Sequence, residues 1–149
     1  MKNIIIIFSL LFASFNLNAQ MDPISWTYEY QVNDAGEQTI VLSADMDDEW
    51  VLYAQNTPKG GPVATSFTFD EQAGVKWKDN TVPHGKLIKK FSPLFELEVF
   101  KYTKAVQFTQ SFEANDSVKK ITGSVFYMTC NGQQCLPPKE VKFEVPLNN

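Results

Sequence analysis

Two cysteines, Cys130 and Cys135, are the only thiols in the 149-residue sequence, and four residues separate them in Cys130-Asn131-Gly132-Gln133-Gln134-Cys135-Leu136-Pro137-Pro138. A pair at this spacing closes a structural disulfide, exchanges electrons through thiolate and disulfide, or ligates a metal. Asn131-Gly132 is a turn dipeptide, because both residues tolerate positive φ, so the chain is expected to fold back and oppose the two cysteines on antiparallel strands. Directly opposed residues have Cβ atoms about 4.5–5.5 Å apart, against roughly 3.5–4.5 Å in a disulfide, so bonding is feasible.

As a staple the bond is weak. In the chain-entropy treatment a loop of about six residues contributes on the order of 2 kcal/mol, whereas a bridge across the whole domain contributes nearly twice that. This favours a redox role, while a hairpin staple stays open as the other reading. Zinc needs two further ligands, and His84 is the only histidine. Lying between Pro83 and Gly85, His84 reads as a solvated loop residue without a catalytic signature around it. Asp45, Asp47, Asp48 and Glu49 read as a solvated turn, lacking the glycine and spaced glutamate of a calcium loop.

The elements that must position the cysteines are strands. Trp26, Tyr28, Tyr30 and Val32 alternate with Thr27, Glu29 and Gln31, the period of a half-buried strand rich in aromatics. Asp34-Ala35-Gly36 turns the chain into a second run, Gln38 to Ala44, with Ile40 and Leu42 on one face. Trp50 to Ala54 is apolar and ends at Thr57-Pro58-Lys59-Gly60-Gly61-Pro62, which only a loop can hold. Further runs follow at Ala64 to Phe69, Val75 to Lys78, Phe95 to Phe100, Ala105 to Phe112, Lys119 to Met128 and Val141 to Val145. Eight or nine short strands without an amphipathic helix predict an all-β antiparallel sandwich whose core takes up the aromatics.

The amino terminus predicts export. Lys2, an apolar run from Ile4 to Phe15 and a polar stretch ending in Asn18-Ala19-Gln20 have the layout of a secretory signal peptide over residues 1–19, and the run is shorter than the roughly 20 residues of a membrane span. Residues 20–149 are then expected as one domain, without a membrane span and, since no cysteine follows the apolar run, without a lipid anchor. In an exported chain the ordinary state of the cysteine pair is a disulfide. With 13 basic residues, all lysine, against 17 acidic ones, the chain lacks the arginines and basic surface that nucleic acid or an anionic membrane requires.

With these residues the chain resembles the amino-terminal domain of the thiol:disulfide interchange protein DsbD. The likeness rests on Cys130 to Pro138, with support from Trp50-Val51-Leu52-Tyr53 leading into Gly60-Gly61-Pro62 and from Phe108-Thr109-Gln110. It implies an immunoglobulin-like sandwich acting in the periplasm as a redox shuttle with no bound cofactor. Electrons would pass from a thioredoxin-like donor to oxidised periplasmic proteins. By the same resemblance, Cys135 forms the mixed disulfide and Cys130 resolves it. A cap loop corresponds to Phe91-Ser92-Pro93-Leu94-Phe95, in which Phe91 or Phe95 shields the sulfurs, with Lys89 and Lys90 where the family has acidic residues. Leu136, Pro137 and Pro138, with Phe126 or Met128, would offer a docking rim, and Lys139 would favour the Cys135 thiolate. The cysteine loop is one residue shorter than in well-known members. The membrane-embedded and thioredoxin-like parts of the full protein have no counterpart in the sequence, so the donor is expected to be a separate polypeptide.

Overall fold

The structure, a computed structural model, describes residues 22–147; the signal peptide expected over residues 1–19 lies outside them. Twelve strands and no helix occur among the described residues: β1 (Ile24–Val32), β2 (Gln38–Met46), β3 (Val51–Tyr53), β4 (Ser66–Phe69), β5 (Val75–Trp77), β6 (Val82–His84), β7 (Ile88–Ser92), β8 (Leu97–Thr103), β9 (Ala105–Ala114), β10 (Lys120–Tyr127), β11 (Thr129–Cys130) and β12 (Lys139–Pro146).

The aromatic alternation from Trp26 builds β1, which hairpins into β2 with Ile24 opposite Met46 and Val32 opposite Gln38. Asn33 makes the turn, its side-chain oxygen accepting the amides of Ala35 and Glu37 at 3.0 and 2.9 Å. β9 lies against β2 and pairs along its other edge with β5 and β6 in succession. A second sheet runs β12-β10-β4 and a third β11-β3-β8-β7, with every pairing antiparallel.

Aromatic rings join the first two sheets. Tyr28 stacks on Phe143 at 4.9 Å, Trp26 meets Phe67 edge-on at 5.9 Å, and Phe67 packs on Phe108 at 4.9 Å. Ile40, Leu42, Phe108 and Val125 are wholly excluded from solvent, each such side chain contributing roughly 1.5–3 kcal/mol by burial. At Gly123 the second sheet leaves no room for a side chain: a Cβ there would stand 2.3 Å from the Thr68 carbonyl oxygen of β4 and 2.7 Å from the Phe143 ring of β12.

Two strands go beyond the sequence expectation. Val82–His84 contains a proline, and Ile88–Ser92 carries Lys89 and Lys90, so both read as punctuation; both are edge strands, where a missing donor or a charge is tolerated and discourages further pairing. His84 accordingly belongs to a strand rather than a loop, its Nε2 2.8 Å from Thr109 Oγ1.

Candidate redox site

Met128 is the point where the chain changes sheets. β10 pairs with β12 and β4, whereas Thr129 and Cys130 immediately beyond pair with Leu52 and Val51 of β3. The buried Thr129 hydroxyl donates to the Val51 carbonyl at 2.8 Å and so secures the crossing. This places Cys130 on the edge strand of the third sheet, its side chain buried in a cluster with Val51, Tyr53 and Val99, against which Phe95, Leu97, Met128 and Cys135 pack.

Backbone hydrogen bonds then determine how the cysteines meet. The Asn131 amide donates to Gln134 O and the Leu136 amide to Thr129 O, both at 3.0 Å, which leaves Cys130 and Cys135 opposite one another in the intervening non-hydrogen-bonded position. Such positions bring Cα atoms to about 4.5 Å, the closest approach in an antiparallel pair. Here they stand 4.0 Å apart and the sulfurs are bonded. The two sulfur-bearing residues differ in exposure: Cys130 is 3% exposed and Cys135 only partly covered.

The turn between them departs from expectation in one respect. Gly132 takes φ of +86°, but Asn131 keeps negative φ and acts through its side chain, whose oxygen accepts the amides of Gln133 and Gln134 at 3.1 and 3.0 Å. A carboxamide at the first turn position is a signal for this arrangement that the dipeptide reading overlooked.

Two grooves flank the disulfide. Beside Cys130, a groove of about 300 Å³ is lined by Glu49, Tyr53, Lys90, Phe91, Leu94 and Lys101, among others. The tip of the β7–β8 hairpin overhangs it, closed by the Phe95 amide donating to Ser92 O at 3.3 Å. The hairpin separates the two phenylalanines expected in the cap: Phe95 turns inward, edge-on to Tyr53 at 6.0 Å, while Phe91 is 59% exposed. Burial, and secondarily repulsion from Lys90, holds the Lys101 ammonium below the ordinary lysine pKa, and burial raises that of Tyr53.

On the Cys135 side, Leu136, Pro137 and Pro138 form one wall of a cleft of about 220 Å³, with Pro23, Tyr127 and Thr129 opposite and the Asp22–Lys139 ion pair at its margin. Burial first, and then the Asp22 charge, pushes the Tyr127 pKa up to about 12. Met128 belongs to the cysteine cluster, whereas Phe126 is 40% exposed and outside it. Among the described residues no group of three or more histidine, cysteine or acidic side chains is placed to hold a metal ion, and no helix is long and apolar enough to cross a membrane.

No curated protein matches this sequence. Two solved structures are similar in fold: the N-terminal periplasmic domain of ScsB from Proteus mirabilis (TM-score 0.57, 16% identity, 81% of this chain) and the reduced N-terminal domain of DsbD from Neisseria meningitidis (TM-score 0.57, 14% identity, 83% of this chain). The match spans 44% of the ScsB chain and 86% of the Neisseria one. The fold is thus the immunoglobulin-like sandwich that the resemblance implied. The family described as thiol:disulfide interchange protein DsbD, N-terminal, matches residues 20–147, nearly the whole chain. With a bonded cysteine pair at the tip of its ladder, this chain belongs to the DsbD N-terminal family and is a thiol–disulfide interchange domain.

Proposed function

We propose that the protein is a periplasmic electron relay, taking electrons from a thioredoxin-like donor and passing them to oxidised periplasmic proteins. The observation that carries this reading is the unequal exposure of the two bonded cysteines. A disulfide can be attacked only at a sulfur that a partner reaches, and the released sulfur is best held still to return. A donor thiolate attacks Cys135 Sγ, the Sγ–Sγ bond breaks, and Cys130 leaves as a thiolate that takes up a proton. The donor's second thiol resolves the mixed disulfide, leaving the donor oxidised and the pair reduced by two electrons. In the second half-cycle the Cys135 thiolate attacks an acceptor disulfide, and Cys130 displaces the reduced acceptor.

Phe95 serves as the inner part of the cap and Phe91 as its outer, movable part. Leu136, Pro137 and Pro138 form the docking rim. The prolines hold Leu136 extended and present no amide that would pair elsewhere.

Cys130→Ser tests the reading: the variant accumulates a mixed disulfide through Cys135 with a thioredoxin-like protein whose resolving cysteine is replaced by serine and whose remaining thiol is activated as a mixed disulfide with an aromatic thiol, which departs as the leaving group; the adduct is seen by mass under non-reducing conditions. A variant that never forms one, together with a Cys130–Cys135 potential below about −300 mV, would make the bond a structural staple in a binding scaffold.

A further inference from the structure

We infer that the β7–β8 hairpin is a docking surface for a redox partner whose dithiol is ringed by acidic residues. The inference rests on the exchange reading above and names the chemistry of the partner. Charge on this chain is unevenly distributed. Between Lys86 and Lys104 there are five lysines against Glu96 and Glu98, a local charge of +3, whereas the chain as a whole carries −4. The three ion pairs of the described residues, Lys78–Glu113, Lys120–Glu144 and Lys139–Asp22, all lie outside this segment. Lys89 contacts the Phe100 ring, 4.5 Å from its centroid, and forms no ion pair there.

The hairpin register carries this charge to the sulfurs. Ile88 pairs with Lys101 and Lys90 with Val99, and side chains two apart on a strand share a face, so Lys90 and Lys101 stand on the face of Val99. Val99 packs in the Cys130 cluster, and both lysines line the groove beside Cys130. Glu49 is the one carboxylate in that lining. Lys90 and Lys101 repel each other and form no ion pair, and the single Glu49 carboxylate leaves the lining net positive, so a partner bringing carboxylates relieves the repulsion as it reaches Cys135. Rim charges of this kind act chiefly on the rate of encounter and on partner choice.

Two synthetic dithiol peptides, identical except for flanks of glutamates or of lysines, test this directly. Each is oxidised as it reduces the Cys130–Cys135 bond, two electrons and two protons passing to the protein, and its rate is divided by its rate with oxidised glutathione to remove intrinsic thiol reactivity. At about 10 mM salt the acidic peptide is expected to react at least about tenfold faster. The preference is expected to shrink towards unity at about 1 M salt, where the Debye length is about 3 Å. Lys90→Glu/Lys101→Glu, at an exposed and a half-buried position of the groove lining, is expected to reverse it, and Lys86→Glu/Lys89→Glu to weaken it. Equal rates at low salt, or faster reaction with the basic peptide, overturn the inference and leave the exchange reading intact. Failure of both peptides and of dithiothreitol to reduce the bond overturns both.

Discussion

Lys139 Nζ stands 2.5 Å from Asp22 Oδ2, so the cation four residues beyond Cys135 is held by a carboxylate from the start of the described chain. The charge through which Lys139 was expected to favour the Cys135 thiolate is thus matched by a neighbouring carboxylate. The lysines that line the sulfur groove are Lys90 and Lys101, on the opposite side of the disulfide.

In the reduced protein Cys135 is expected to alkylate about tenfold faster than Cys130, since thiol reactivity requires access. Peptide mapping after brief iodoacetamide treatment measures the ratio, and equal labelling would contradict the assigned roles. Lys139→Ala is expected to change the Cys135 rate by less than about twofold, its charge being already matched and partly screened.

Phe95→Ala removes a ring that packs on Tyr53 and the cysteine cluster, with an expected loss of about 1–2 kcal/mol in urea unfolding and faster reduction of the disulfide by dithiothreitol. Phe91→Ala, at a position 59% exposed, is expected to stay within about 0.5 kcal/mol of the parent while slowing exchange with a protein partner. The reverse pattern would reassign the inner and outer parts of the cap.

Gly123→Ala forces a methyl group against the Thr68 carbonyl, which cannot rotate away, and should destabilise the fold by about 3 kcal/mol through separation of β4 from β10. Gly132→Ala has open space around it but keeps φ of +86°, so its expected cost is about 1 kcal/mol, confined to the cysteine turn. Urea midpoints of the two variants distinguish a steric from a conformational penalty.

Burial raises the pKa values of Tyr28 and Tyr127 from the ordinary 10.0 to about 12. A folded-state pKa above the unfolded one contributes stability that is complete below the unfolded value and lost as pH rises through the folded one. Stability should accordingly fall between about pH 10 and about pH 12, with phenolate absorbance from these two residues rising in that window. Full titration near pH 10 in the folded protein would show that the rings are not desolvated.

What could be read from the sequence follows from how local each signal is. Trp26, Tyr28 and Tyr30 alternate within one strand, and Cys130 and Cys135 share one short turn, so pattern alone located both. Val32, the last member of that alternation, is 53% exposed because the strand runs past the core. The strands at Val82–His84 and Ile88–Ser92 were hidden because their edge positions admit the proline and lysines that mark a loop. The partnership of Asp22 with Lys139, and the packing of Val99 on Cys130, join residues far apart in sequence, and no local pattern announces them.

The hydrogen bonds on either side of the cysteine pair, Leu136 to Thr129 and Asn131 to Gln134, do not depend on the sulfur link. Together with the Thr129 hydroxyl on Val51, they tether both arms of the ribbon when the thiols are free. Opening the Cys130–Cys135 bond therefore removes the one covalent link in the ribbon and leaves its hydrogen-bonded frame in place, so exchange at the sulfurs requires no refolding of the arms that carry them.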